Sequence, residues 1–224
     1  MIPLRDTQPS SRTPVITVTL IVINVLVFLF EVSLEPFARN HFIAVFGMIP
    51  DRWAEDPLTL LTYMFLHGGW LHLIGNCWFL WIYGDNIEDI LGHWVYILFY
   101  VGCGVAAAMV QIWSNPYSHV PTVGASGAIA GVMGAYLVKF PHARVLTLVP
   151  IFIFFTTIEV PEFLMLLYWF LIQIVSGVGS IGYSQVSGEG VAWFAHVGGF
   201  VSGVALIWLL PTRARFSGRS DLQW

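Results

Sequence analysis

Six apolar stretches, separated by short polar ones, run along the chain: Pro14–Phe30, Trp70–Tyr83, His93–Trp113, Ser126–Val138, Pro161–Ser176 and Val191–Leu210. Such runs, apolar around the whole helix rather than on one face, belong in a core or a lipid bilayer. Several are shorter than the roughly 20 residues of a full crossing, which implies local bilayer thinning or ends that stop below the surface. The first follows Arg5 and Arg12 in the manner of a signal peptide, but Glu31-Val32-Ser33-Leu34-Glu35-Pro36 offers no small-residue cleavage site. It is retained as a span. The expectation is an all-α, polytopic membrane protein: a six-transmembrane-helix bundle over residues 15–210, with a short N-terminal tail (1–14) and C-terminal tail (211–224).

The stretch Val145–Ile158 is the ambiguous piece, apolar enough for a seventh span but broken by Pro150 and closed by Thr156, Thr157 and Glu159. Charge decides the count. Six spans place both termini and the turns 84–92 and 139–160 on one side, with Arg5, Arg12, Lys139, Arg144, Arg213, Arg215 and Arg219. Only Arg39 and Arg52 remain on the other. The positive-inside rule then makes both termini cytoplasmic. A seventh span would export the Arg213–Arg219 cluster.

Composition supports the membrane reading. Hydrophobic residues make up 57% of the 224 and charged residues 10%, against about 25% charged in soluble domains. Mean hydropathy is +0.77. No sizeable soluble domain fits alongside the spans. Cys77 and Cys103 both lie in apolar runs; they are expected to be small core residues, not a disulfide framework.

Against this background a few polar residues stand out. Gly124-Ala125-Ser126-Gly127 opens the fourth apolar run, and His196 lies in the sixth. Ionisable side chains inside membranes are rare and usually functional, and a hydroxyl beside an imidazole is the minimum equipment for nucleophilic catalysis. Ser126 lies 13 residues before Lys139 and His196 lies 14 before Leu210, so both sit about 20 Å from the inner boundary. In a hydrocarbon core about 30 Å thick, that is near the outer face. His72, 13 residues before Asp85, reaches the same level. Gly127 and Gly131 form a G-x-x-x-G pair extended by Gly134, and Gly199 and Gly203 form another with His196 at i−3. Such pairs let membrane helices approach closely; they serve bundle packing and a Ser–His contact equally well.

His72 and Asn76 share a helix face at i, i+4. Both carry N–H donors, as needed where a carbonyl oxygen gains negative charge; the backbone N–H groups of Ser126 and Gly127 at a helix start could add to them. An ordinary interhelical hydrogen bond is the other reading of such a pair, and the common depth favours the donor role. The outer loop 31–69, with Phe42, Ile43, Val45 and Trp53, suits a lipid-facing or interfacial position. The glycines between 177 and 190 suit either a flexible cap over a water-filled cavity or a plain connector.

These residues resemble the rhomboid family of intramembrane serine proteases. The resemblance rests on Gly124-Ala125-Ser126-Gly127, Ala195-His196-Val197-Gly198-Gly199, the stretch from Phe65 to Asn76, and Gly84-Asp85-Asn86-Ile87-Glu88-Asp89, in order and spacing over roughly residues 15–210. It implies a Ser–His dyad without an acidic third member, with Ser126 as nucleophile and His196 as general base. It also implies that His72 and Asn76 help to bind the oxyanion, that His67 ties the first long loop together, and that Glu88 braces the cytoplasmic end of the second helix. One position departs from the family pattern: Ala130 stands where an aromatic often stacks on the histidine. A support for His196 is then expected from another helix.

Other intramembrane chemistries lack their residues. The H-E-x-x-H of zinc proteases is absent, and Asp85 has no partner aspartate in any apolar span. A small transporter or channel would show internal repeats or charged broken helices, and neither is found. A catalytically weak rhomboid-like binding factor usually lacks the serine or the histidine, and both are present. The expected partners are transmembrane protein substrates and the lipid bilayer, with no nucleic acid, cofactor or metal. The expected location, from the absence of a transit peptide and of further domains, is a bacterial cytoplasmic membrane.

Overall fold

The structure, a computed structural model, describes residues 2–151, 154–180 and 192–213. Eight α-helices are described: α1 (Val15–Ser33), α2 (Pro36–Phe46), α3 (Thr59–Thr62), α4 (Trp70–Leu91), α5 (His93–Ser114), α6 (Ser126–Lys139), α7 (Glu162–Ser180) and α8 (Trp193–Leu209). The strands are β1 (Ile2–Asp6), β2 (Arg144–Ile151) and β3 (Phe154–Pro161). The fold is therefore mostly helical rather than all-α. Among the described helices, α1, α5 and α7 are long and apolar enough to cross a membrane, while α6 and α8 are shorter apolar helices.

The three strands form an antiparallel sheet in the order β1-β2-β3, which corrects the all-α expectation. Val145–Ile158 is a hairpin arm pair and not a span. Its β-branched residues alternate in burial, with Val145 and Thr147 fully buried and Arg144 exposed, the period of a half-buried strand. The N-terminal residues are likewise no free tail. Ile2 to Asp6 pair with Leu148 to Val145, and the Trp78 indole donates to the Pro3 carbonyl at 2.6 Å.

The second correction concerns α4, which runs through the expected 84–92 turn to Leu91 and stops at Gly92 with φ +76°. Asp85, Glu88 and Asp89 do not break the helix because neighbouring segments satisfy them. Glu88 Oε1 accepts the Ile16 N–H and Oε2 the Thr17 N–H, both at 2.8 Å, and Thr17 Oγ1 adds a bond at 2.7 Å. These N–H groups belong to the first turn of α1, which Pro14 leaves without a side-chain cap. Glu88 is thus a cap supplied from another helix, where a negative charge suits the helix N-terminus. Its Oε1 also meets His93 Nδ1 at 2.5 Å. Asp89 receives the Ser11 backbone N–H at 3.0 Å.

The 31–69 connection is largely ordered into α2, two 3₁₀ turns (Pro50–Arg52 and Tyr63–Phe65) and α3. Gly177 and Gly179, placed in a loop by their composition, lie in α7; Gly182, Gly188 and Gly190 lie outside the described residues, as do Arg215 and Arg219. Cys103 is fully buried in α5, whereas Cys77 is only half-buried, so the second is not a core residue.

At the centre, α6 sits between α5 and α8 with almost no side-chain spacing. A Cβ on Gly199 would collide with the Gly127 carbonyl, and one on Gly203 with the Gly131 carbonyl. On the other side, a Cβ on Gly127 would stand 2.6 Å from Ala107 Cβ, and one on Gly131 would collide with Cys103. Glycine rows let backbones meet in this way. The close approach is what brings the first turn of α6 against the first turn of α8.

Candidate active site

Ser126 is the first residue of α6, and its side chain is partly buried there. The first helical bond of this segment runs from the Ile129 N–H to the Ala125 carbonyl at 3.0 Å. The N–H groups of Ser126, Gly127 and Ala128 therefore have no intrahelical acceptor. His196 lies one turn into α8, 9% exposed. Its Nε2 stands 2.7 Å from Ser126 Oγ.

The second ring nitrogen shows what the motif reading missed. His196 Nδ1 lies 2.7 Å from Gln173 Oε1 on α7, and Gln173 is 4% exposed. The Gln173 amide nitrogen donates to the Trp169 carbonyl one turn back at 3.4 Å, which fixes the amide with its oxygen towards the imidazole. Nδ1 then carries the proton, and the Nε2 lone pair is left to accept from the serine. A glutamine inside an apolar run was the only hint of this in the sequence, and its spacing to His196 follows no local period.

The aromatic support absent at Ala130 comes from elsewhere. The Trp169 ring lies 5.8 Å from the His196 ring at an interplanar angle of 39°, and Trp193 meets it edge-on at 6.2 Å and 88°. Ala130 itself is fully buried.

His72 and Asn76 lie on α4 against the loop that leads into Ser126. Gly124, at φ +122°, passes so close that a Cβ there would stand 2.6 Å from His72 Nε2 and 3.5 Å from Asn76 Nδ2. Both the conformation and the approach require glycine. The Gly68 N–H points at His72 Nδ1 at 3.4 Å, leaving Nε2 as the protonated nitrogen on the Gly124 side. Asn76 Nδ2 is buried with no hydrogen-bond partner. One donor, Asn76 Nδ2, is therefore held near the serine loop without an acceptor, and an unpaired buried donor is costly.

His67 takes a different position. It is fully buried; its Nδ1 donates to the Phe65 carbonyl at 3.2 Å, and its backbone N–H donates to Glu31 of α1 at 3.1 Å. Burial keeps its ring neutral, with the pKa pushed down to about 4. Glu88 lies at the far end of α4 in the cap described above. The structure thus brings Ser126, His196 and the Gly127/Gly131 and Gly199/Gly203 rows together, sets His72 and Asn76 beside Gly124, and keeps Glu88 apart. Among the described residues no group of three or more His, Cys, Asp or Glu side chains is placed to hold a metal ion.

A serine hydroxyl bonded to an imidazole among apolar helices, near an unpaired amide donor, is an arrangement chemically able to support nucleophilic attack. The Rhomboid domain matches residues 54–213, and the chain belongs to the Rhomboid family. It is 25% identical over 192 residues to Rhomboid protein 1, mitochondrial, of Saccharomyces cerevisiae, covering 82% of this chain and 50% of the relative. It is 30% identical over 196 residues to Rhomboid-like protein 11, chloroplastic, of Arabidopsis thaliana, covering 84% of this chain and 65% of the relative. Over a shorter stretch of 78 residues it is 38% identical to the Rhomboid protease GluP of Bacillus subtilis, 35% of this chain and 15% of the relative. The chain thus spans half to just under two thirds of the length of the first two. It is a membrane protein, and the organellar names of those two relatives give no support to the expected bacterial cytoplasmic membrane.

Proposed function

We propose that this chain is an intramembrane serine endopeptidase that hydrolyses peptide bonds in or near transmembrane segments of other membrane proteins. The 2.7 Å contact between Ser126 Oγ and His196 Nε2 carries the reading. His196 takes the hydroxyl proton as Ser126 Oγ bonds to the scissile carbonyl carbon. The carbonyl oxygen becomes an oxyanion, which Asn76 Nδ2, His72 Nε2 and the N–H groups at the start of α6 stabilise. His196 then returns the proton to the leaving amine as the C–N bond breaks, giving an acyl-enzyme. Water, deprotonated by the same imidazole, attacks the ester and releases Ser126. The substrate helix must unwind locally, because helical carbonyls are already paired. Within this reading residues 15–210 form the protease domain, α1, α4, α5, α6, α7 and α8 are its six spans, and both termini are cytoplasmic.

The test is a fluorophosphonate probe together with a transmembrane reporter substrate in liposomes. Labelling at Ser126 and reporter cleavage, both lost in Ser126→Ala, are expected. A folded protein that neither labels nor cleaves would instead be a rhomboid-like binding factor. Reporters fused after Trp224 and inserted at Gly182 should read cytoplasmic and external; an external C-terminus would overturn the six-span topology.

A further inference from the structure

We infer that Gln173 is a positioning residue that holds His196 in its working tautomer, a neutral third member in the place where soluble serine proteases carry a carboxylate. The inference rests on the protease reading above. Nucleophile, base and this third group come from three helices, α6, α8 and α7, so their meeting is a property of the packed bundle. The Nδ1–Oε1 separation of 2.7 Å is that of a good hydrogen bond, and both groups are buried. The amide is itself held by the Trp169 carbonyl, and the same Trp169 places its ring beside the imidazole. One turn of α7 therefore fixes both the proton position and the ring plane of His196.

The neutral residue has a physical reason. A carboxylate at this depth would be an ion in an apolar surrounding during every moment that the imidazole is uncharged, and such burial is costly. An amide oxygen accepts the Nδ1 proton without that charge. It supplies orientation but little stabilisation of the imidazolium, so the site depends the more on its oxyanion donors. Without an acceptor at Nδ1, the proton is free to sit on Nε2, where it faces the serine and blocks proton abstraction.

The experiment uses the full chain in detergent or liposomes, with Gln173→Leu to remove the acceptor and Gln173→Glu to restore an oxygen at the same reach. In wild type, ¹⁵N NMR of the histidines should show His196 as the Nδ1–H tautomer. Gln173→Leu should show loss of that preference and a fall in kcat on the order of 10- to 10²-fold, with KM within about twofold. Gln173→Glu should recover most of the lost kcat with a lowered melting temperature, since it buries a carboxyl, whereas Gln173→Leu should melt close to wild type. A wild-type His196 found as the Nε2–H tautomer overturns the inference. So does a Gln173→Leu enzyme with wild-type kcat, or a loss in both variants that follows their melting temperatures. If the wild type neither cleaves nor labels, the protease reading has failed, and the nitrogen shifts still decide whether Gln173 holds the imidazole.

Discussion

The two ends of α4 treat polar groups in opposite ways. At its C-terminal end every oxygen of Glu88 is engaged, by Ile16, Thr17 and His93, and Asp89 is held by Ser11. At its N-terminal end Asn76 Nδ2 is buried without a partner and His72 Nε2 faces the Gly124 backbone. The same helix thus carries a satisfied network that joins it to α1 and, beside the loop into Ser126, an amide donor left unpaired. Satisfied networks rigidify a fold, whereas donors held ready for a charge that exists only in the transition state act on rate. Under the proposed function, the contrast separates residues that stabilise from residues that act on rate, and each end makes its own predictions.

The largest effect is expected at the dyad. Ser126→Ala and His196→Ala should each abolish cleavage of the reporter with unchanged melting temperature, and the double variant should lose no more than either single one, since the pair acts as a unit. Residual wild-type turnover in either would break the comparison at its root. Next come the two α4 side chains beside Gly124. Asn76→Ala and His72→Ala should each lower kcat by roughly 10²–10³ and leave thermal stability nearly untouched. A proportional loss of melting temperature would make them packing residues like those at the other end.

The reverse pattern is expected for Glu88→Ala. It strips the cap from α1 and should cost about 3 kcal/mol of stability, read by thermal unfolding in detergent, with kcat of the folded fraction unchanged. Ala130→Tyr tests how tightly the reactive end is packed. With Ala130 fully buried and Trp169 and Trp193 already flanking His196, the added ring should destabilise by about 1–3 kcal/mol and not raise kcat. A faster variant with unchanged melting temperature would reveal an unfilled space.

The smallest effect concerns Asp6, at the satisfied end. Burial raises its pKa to about 6 from 3.8, against the opposing hydrogen bond from the Tyr136 hydroxyl. The folded state therefore binds this proton more tightly than the unfolded one. Stability from this group is full below about pH 4, falls as pH rises towards 6, and is flat above. Asp6→Asn should remove that slope from melting curves taken between pH 4 and 7, with turnover unaffected.

Legibility followed the range of the interaction. Ser126, His196, His72 and Asn76 could be singled out because each is a polar exception in an apolar run, and because helical rise converts residue number into depth. Glu88 could be noticed but not explained, since its partners Ile16 and Thr17 lie more than seventy positions away. The same distance hid the end of α4: acidic residues suggest a turn unless something satisfies them, and what satisfies them is α1. The sheet escaped because β1 and β2 pair residues over 130 apart, and because apolarity alone does not separate a strand from a short span.

By itself the sequence determined the class, a membrane protein of apolar helices, and singled out Ser126 and His196 within them, because hydrophobicity and helical rise are local properties. Tertiary structure decided what those residues meet. Glycine rows that let α5, α6 and α8 touch set the 2.7 Å serine–histidine contact, and α7 brings Gln173 and Trp169 to the far side of the imidazole. No local rule ties Gln173 to His196, 23 positions away; only the packing of separate helices against one another can do so.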